Sequence, residues 1–167
     1  MRRRVIVLAG FVVAVVGAEN RLIAQSASAS LTVSANVSKN CTITTAPVNF
    51  GLYDPIAANA TAPLDGTGTV TITCTKGSTA TVALSVGSNA EGTTRRMLGG
   101  TAAYLTYELY KDSNHSAVWG DTLDTALDVP AAPNRTPRDF PVYGRVTAGQ
   151  DATVGNYTDT VVATVNF

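Results

Sequence analysis

Few residues of this chain could do chemistry. One histidine, His115, lies in a polar stretch, and Cys41 and Cys74 are the two cysteines. A Ser-His-Asp arrangement needs a histidine held in place by neighbouring groups, and a zinc or copper centre needs several imidazoles or thiolates. A lone histidine in a polar turn favours a solvated loop residue over a catalytic one, so we expect no enzyme. An exported hydrolase that uses His115 is the disfavoured alternative.

The acidic and glycine-rich stretches also lack the spacing of a ligand site. Asp121, Asp124 and Asp128 do not show the alternating carboxylates and central glycine of a calcium loop. The glycine pairs lack the Lys-Ser/Thr companion of a phosphate-binding loop. We therefore expect neither a metal nor a cofactor, and we interpret these residues as loops.

Residues 1–24 have the layout of a signal peptide. Residues 1–4 include three arginines, residues 5–18 are apolar or small, and the chain turns polar from Glu19. The apolar run is shorter than the roughly 20 residues that a membrane-spanning helix requires. We expect cleavage after Ala24, with Ala18 as the other candidate, and an exported mature chain that is not inserted in a membrane.

Export through an oxidising compartment gives the two cysteines a simple role. Two cysteines in an exported chain most simply form one disulfide. Closing a loop of about 34 residues stabilises a fold by roughly 3–4 kcal/mol on the chain-entropy model. The sequence predicts a Cys41–Cys74 disulfide, and two free buried thiols are the alternative.

The charge of the mature chain excludes some partners. Without residues 1–24 the chain keeps 8 basic and 11 acidic residues, a formal charge of −3. No cluster of basic residues remains outside the leader. This balance argues against nucleic acid or anionic lipid as the partner.

Apolar and polar residues alternate along the mature chain, with turn signals between the alternating stretches. Strands are expected at residues 30–45, 48–53, 68–74, 79–87, 103–111, 140–146 and 157–167, with 68–74 and 79–87 joined as a β-hairpin. Residues 56–66 are expected to be a loop, and residues 121–139 a loop or one helical turn. The pattern is typical of one antiparallel β-sandwich of immunoglobulin-like type, with Leu105, Tyr107 and Leu109 in its core.

The two ends of the mature chain carry alternating segments that lack an obvious partner. Near the start, Leu31, Val33, Ala35 and Val37 would share one face of a strand that no hairpin turn ties to the next one. At the other end, Val161, Ala163, Val165 and Phe167 would share one face, with no later strand beside them. An apolar edge of this kind invites strand addition. Our hypothesis is that residues 31–37 complete a neighbour's sheet; pairing as an ordinary first strand is the alternative.

The motifs of the chain resemble those of the spore coat protein U domain family, which includes the subunits of archaic (Csu-type) chaperone–usher pili. The resemblance rests on Asn49-Phe50-Gly51, Thr71-Ile72-Thr73-Cys74, Tyr107-Glu108-Leu109-Tyr110-Lys111-Asp112, Tyr143-Gly144-Arg145-Val146, Gly149-Gln150, Gly155-Asn156-Tyr157-Thr158-Asp159-Thr160-Val161 and Thr164-Val165-Asn166-Phe167. It covers essentially the whole mature chain, and the closing motif is its most specific part.

This resemblance implies an incomplete immunoglobulin-like domain, residues 41–167, preceded by a donor-strand segment, residues 25–40. A periplasmic chaperone, an outer-membrane usher and other pilin copies would be its partners. The four apolar residues of the donor segment would enter an acceptor groove walled by Val161, Ala163, Val165 and Phe167 of another copy. The expected function is that of a structural subunit, in the shaft or an adaptor, of a pilus or coat-like fibre on the cell surface.

A monomeric secreted binding module is the alternative from another functional class. It would recognise a carbohydrate or a protein through residues 88–102 or 121–139. Trp119 and the tyrosines would supply its contacts, although such residues more often lie in a core.

Overall fold

Nine β-strands carry the fold of the computed structural model, which describes residues 24–100 and 102–167. The elements are β1 (Cys41–Asn49), α1 (Ala58–Thr61), β2 (Leu64–Cys74), β3 (Ala80–Leu84), β4 (Arg96–Gly99), β5 (Ala103–Tyr110), β6 (Leu127–Val129), β7 (Arg138–Val146), β8 (Tyr157–Thr158) and β9 (Ala163–Asn166). Among these residues, no helix is both long enough and apolar enough to cross a bilayer.

The strands form two antiparallel sheets around one core. The larger sheet has the order β1-β2-β7-β5-β4-β8, and the smaller one has the order β6-β3-β9. Alternation along each strand sends one set of side chains inward, so Val70 and Ile72 of the larger sheet and Val82 and Leu84 of the smaller sheet are buried in the same cluster. The expected all-β antiparallel sandwich is confirmed.

Two other expectations about the core also agree with the structure. Leu105, Tyr107 and Leu109 alternate along β5 and are all buried. Cys41 and Cys74 are directly opposite each other on β1 and β2 and form the expected disulfide. Pairing of the two strands continues one residue outward, where the Thr75 N–H donates to the Asn40 carbonyl at 2.9 Å.

The expected β-hairpin of residues 68–74 and 79–87 is wrong, because β2 and β3 lie in different sheets. The connection between them carries the chain from one layer to the other. Two main-chain hydrogen bonds with Ala132 hold this connection. The Gly77 N–H donates to the Ala132 carbonyl, and the Ala132 N–H donates to the Ser78 carbonyl. Alternation shows that both strands bury one face, but it does not show which strand lies beside which.

Several strand boundaries also differ from expectation. Residues 157–167 form two short strands, because β8 pairs with β4 in the larger sheet and β9 pairs with β3 in the smaller one. Residues 48–53 are not a separate strand: β1 continues to Asn49 through an irregularity in its pairing with β2. The 56–66 loop contains α1 and the start of β2, and β6 lies inside the expected 121–139 loop.

The segment before Cys41 belongs to no strand. Residues 24–40 have no assigned secondary structure, and the side chains of Leu31, Val33 and Val37 are 88%, 86% and 79% exposed. Of the strand expected over residues 30–45, residues 41–45 lie in β1, whereas residues 30–39 pair with no strand in the described part of the chain. The expected signal peptide lies, apart from Ala24, outside the described residues and stays a prediction.

Candidate functional site

The flank of the sandwich formed by β1 and β9, here called the open flank, has two incomplete edges. β1 is the outermost strand of the larger sheet and pairs with β2; β9 is the outermost strand of the smaller sheet and pairs with β3. Within the described ranges, the outer side of each strand has no ladder partner. Unpaired main-chain N–H and C=O groups on an edge are a template for another strand.

A cleft of about 440 Å³ lies on the open flank. Residues 45–50, at the end of β1, and residues 157–161, leading into β9, form its sides. Core side chains, among them Leu84, Leu109 and Val142, form its floor. The cleft therefore opens the hydrophobic core between two edge strands, which is the geometry that an added strand with one apolar face would close.

The four residues expected to wall this groove have different positions. Val161 and Ala163 line the cleft and are half-buried against the core. Val165 packs against the core further along β9, outside the cleft lining. Phe167 is 52% exposed. The structure thus brings Val161 and Ala163 together at the cleft and places the other two beyond its end.

Two side chains that line the cleft, Val48 and Phe50, pack closely over glycines and were not among the predicted site residues. Val48 and Phe50 lie over inward-facing glycines of β2 and β7: a Cβ on Gly68 would stand 2.7 Å from Val48 Cγ2, and a Cβ on Gly144 would stand 2.7 Å from Phe50 Cζ. The Phe50 ring centroid is also 6.0 Å from that of Tyr107. Glycine at alternate, inward positions of a strand was the sequence signal for this close approach.

A second cleft of about 640 Å³ adjoins the first. Val48, Asn49 and Phe50 line both clefts, and the second continues between residues 51–55 and residues 152–158. The side chains of Leu52 and Val154 at its rim are largely exposed. The two clefts together therefore extend beyond the ends of the edge strands β1 and β9.

One acidic group, Asp159, lines the first cleft where the chain crosses from β8 to β9. Its Oδ2 accepts a hydrogen bond of 2.7 Å from the Tyr107 hydroxyl, and its Oδ1 accepts from the main-chain and side-chain nitrogens of Asn89 at 3.1 and 3.0 Å. Burial, and then the hydrogen bond to Asp159, raise the pKa of Tyr107, which keeps its hydroxyl protonated as a donor. Asp159 belongs to the Gly155–Val161 motif, but its role in the site was not predicted.

A second part of the sandwich, here called the closed flank, joins the two sheets through Arg95, Glu108 and Trp119. The Arg95 guanidinium is buried, pairs with Glu108 of β5, and donates to the carbonyls of Leu84, at the end of β3, and of Trp119. Trp119 has no exposed surface, and its Nε1 donates to the Val82 carbonyl at 2.8 Å. Trp119 is therefore a core residue and is not available as a contact of the alternative binding module.

The expectation that His115 is a solvated loop residue is wrong. Its side chain is 8% exposed, its ring stands edge-on to Tyr110 at 5.1 Å, and its Nε2 lies 3.7 Å from Asp65. Arg145 donates two hydrogen bonds of 2.7 Å to Asp65, which lower the pKa of that carboxyl. The polar turn folds back onto the outer face of β2 and β7, where an imidazole packs against aromatic and charged side chains.

Asp121, Asp124 and Asp128, the acidic residues weighed as calcium ligands, are the remaining polar side chains to place. Asp121, Asp124 and Asp128 are exposed. In residues 24–100 and 102–167, no three histidine, cysteine, aspartate or glutamate side chains are grouped so that they could hold a metal ion.

The comparisons with known proteins agree with this fold. The family model of the Spore Coat Protein U domain matches residues 27–164. The chain belongs to this family. Protein U of Myxococcus xanthus is 38% identical to the chain over 157 residues, which are 86% of this chain and 87% of that protein.

The fold is also similar to that of solved structures. One of them is the chaperone-tip adhesion subunit pre-assembly complex from archaic chaperone-usher Csu pili of Acinetobacter baumannii, with a TM-score of 0.57 at 21% identity. The match covers 78% of this chain and 40% of the matched chain, so this Spore Coat Protein U domain chain spans less than half of that protein. At this identity the likeness shows the fold alone.

Proposed function

We propose that this chain is a structural subunit of a fibre on the cell surface, and that it polymerises by strand donation. Residues 25–40 of one copy would supply the donor strand. The open flank of another copy would accept it between β1 and β9. The mature chain would be exported through the periplasm to the surface after removal of residues 1–24.

The observation that carries the proposal is the cleft that opens the core between two unpaired strand edges. The same chain carries an alternating segment whose apolar residues are almost fully exposed, Leu31 at 88% and Val33 at 86%. Burying each such side chain contributes about 1.5–3 kcal/mol, and each main-chain hydrogen bond adds a net 0.5–1.5 kcal/mol or so. The same polypeptide would therefore supply both the donor segment and the edge that accepts it.

A periplasmic chaperone would protect the open flank before assembly, and an outer-membrane usher would direct the exchange of strands. An apolar cleft between unpaired edges is an aggregation hazard in a monomer. The fold likeness to a subunit that was solved in complex with its chaperone supports the chaperone as a partner.

A pair of single substitutions tests the proposal. Val33→Asp places a carboxylate on the apolar face of the donor segment, whereas Thr32→Asp places the same charge on the opposite face. We expect Val33→Asp to abolish polymers and Thr32→Asp to retain them, as measured by electron microscopy and size-exclusion chromatography of exported protein. Equal yields from the two variants would contradict strand donation by this face.

Removal of residues 25–38 is the coarser test. The shortened chain keeps Cys41 and the whole domain, so the disulfide still forms. We expect the chain to accumulate without polymers. Abundant normal fibres from the shortened chain would overturn the proposal, and a stable, fully folded monomer made from the intact chain without a chaperone would favour the binding module.

A further inference from the structure

The acceptor side of the open flank carries an ordered pattern of side chains. Along the stretch that leads into β9 and through it, the alternate residues are one acid followed by apolar residues, namely Asp159, Val161, Ala163, Val165 and Phe167. All of them except Phe167 are half-buried, and the first three line the cleft. The edge is therefore charged at one end and apolar along the rest.

The donor segment carries the matching pattern. Its alternate residues are Leu31, Val33, Ala35, Val37 and Lys39, which are four apolar residues followed by a base. Lys39 is exposed, and it forms no ion pair among the described residues. Because side chains alternate with a period of two, Lys39 shares the apolar face of this segment when it is extended.

We propose that Lys39 of one copy pairs with Asp159 of the next, and that this ion pair sets the register of the donor strand. The inference rests on the proposed function. An antiparallel strand in this register pairs Leu31 with Phe167, Val33 with Val165, Ala35 with Ala163, Val37 with Val161 and Lys39 with Asp159. Each apolar residue then lies opposite an apolar residue, and the single base lies opposite the single acid.

The neighbouring registers lose this match. A slip of two residues in one direction places Val37 opposite Asp159, and a slip in the other direction places Lys39 opposite Val161. A parallel strand that matches the apolar residues puts Lys39 beyond Phe167, at the end of the groove away from Asp159. A one-residue slip turns the apolar face outward. Charge complementarity thus selects one register among those that hydrophobicity allows.

The geometry of the edge is compatible with this pairing. Ser85 donates its N–H to the carbonyl of Val162 at 2.9 Å, so the main-chain groups of Val162 face the smaller sheet. Those groups alternate in an antiparallel ladder, and the main-chain groups of Val161 and Ala163 therefore face the open edge. A carboxylate has about four acceptor positions, so Asp159 can accept from a lysine in addition to Tyr107 and Asn89.

The register is tested by disulfide cross-linking through the outward faces of the strands. In the proposed register Ser34 lies opposite Thr164, in a pair without mutual hydrogen bonds whose Cα atoms are about 4.5 Å apart. The full chain with Ser34→Cys and Thr164→Cys is assembled and run on non-reducing gels. The controls combine Ser34→Cys with Val162→Cys or with Asn166→Cys, which would be diagonal neighbours about 7–8 Å apart. Disulfides do not bridge that separation without backbone movement.

The outcomes separate the register from the proposed function. A ladder of cross-linked multimers about tenfold stronger for Thr164→Cys than for either control supports the register. A ladder strongest at Val162→Cys or Asn166→Cys, or fibres without any of these cross-links, overturns the register and leaves strand donation intact. A cross-link found only within monomers shows that the segment pairs with its own domain, which overturns both.

The ion pair has its own test in the same assay. In the cross-linking chain, Lys39→Glu brings two carboxylates together, whereas Lys39→Arg keeps the charge. Arg135→Glu is the control, because it makes a base-to-acid change in the exposed loop between β6 and β7. We expect Lys39→Glu to lower the Thr164→Cys ladder about tenfold, and the other two variants to leave it unchanged. An unchanged ladder in Lys39→Glu would show that the ion pair does not set the register.

Discussion

The two flanks of this sandwich differ in whether the chain's own residues join the two sheets. On the closed flank the chain joins its two sheets with its own residues, since Arg95 reaches the end of β3 and Trp119 fills the space beside it. On the open flank the outer sides of β1 and β9 pair with no strand of the described chain, and a cleft of about 440 Å³ reaches the core.

The difference shows which part of the domain is stabilised by contacts within its own chain. Polar atoms that enter the closed flank have partners within the chain, so its contacts form when the chain folds. The open flank has apolar residues that remain half-buried, and in the proposed function another polypeptide supplies the contacts that cover them. We therefore expect substitutions on the closed flank to lower folding stability, and substitutions on the open flank to lower assembly. The stability measurements below use the Val33→Asp background, which we expect not to polymerise.

The largest expected loss of stability follows removal of the buried guanidinium. Arg95→Met removes the charged partner of Glu108, which keeps only the Leu109 N–H as a donor, and it removes a donor from the carbonyls of Leu84 and Trp119. We expect the free energy of unfolding to fall by about 3 kcal/mol. Arg96→Met is the matched control, because Arg96 pairs with the exposed Glu91 and should cost less than about 1 kcal/mol. Urea unfolding measures both. Equal losses would mean that the closed flank is not held by Arg95.

A smaller loss of folding stability is expected at Gly144, the glycine that packs against Phe50 beneath the cleft. In Gly144→Ala the new methyl group would lie 2.7 Å from Phe50 Cζ, and we expect a loss of about 1–3 kcal/mol. Phe50→Leu in the same chain removes the ring and should restore part of the lost stability. A double-mutant cycle of urea unfolding measures this coupling. Simple additivity of the two changes would contradict a direct contact between Gly144 and Phe50.

On the open flank the expected loss of stability is less than about 1 kcal/mol, because Val161 is only half-buried. Val161→Asp places a charge in the cleft, and we expect it to prevent acceptance of a donor strand while the domain still folds. Val162→Asp, one residue further and 59% exposed, is the control that should still assemble. Urea unfolding and sedimentation of fibres measure the two effects. Fibres from Val161→Asp would mean that the donor strand does not enter this cleft.

The smallest expected effect is a dependence on pH at the His115 turn. Hydrogen bonds from main-chain and side-chain groups of residues 114–117, led by the Ala117 N–H, lower the pKa of Asp112. A lowered folded-state pKa contributes stability above the ordinary carboxyl pKa of about 4, and that stability is lost as the pH falls through the folded-state value. We expect Asp112→Asn to flatten the pH dependence of unfolding below about pH 4. An unchanged slope would exclude Asp112 as a contributor.

The sequence predicted what depends on alternation. The buried positions of β5 and the all-β architecture follow from residue types that repeat with a period of two. The disulfide was predicted from the presence of two cysteines in a chain expected to be exported. Strand partners do not follow from that pattern, so the predicted hairpin of residues 68–74 and 79–87 was wrong, and residues 157–167 proved to be two strands. The burial of His115 depends on a turn that folds back over the sheet, and no local signal marked it.

The candidate site was predicted in part. The apolar face of residues 161–167 was visible in the sequence, and the structure places Val161 and Ala163 at the cleft. The close packing of Val48 and Phe50 depends on glycines of two other strands. The hydrogen bonds to Asp159 come from residues 89 and 107. Contacts between residues so distant in the chain follow from the topology, which the sequence pattern did not reveal.

The central claim, that residues 31–39 complete the open flank, is tested most directly by supplying the strand within one chain. In this variant residues 25–38 are removed, and an Asn-Gly turn followed by a copy of residues 31–39 is added after Phe167. The control carries Val33→Asp in the added strand. We expect size-exclusion chromatography to show a soluble monomer, and calorimetry to show a thermal midpoint about 10 °C above that of the control. Equal midpoints would contradict the claim.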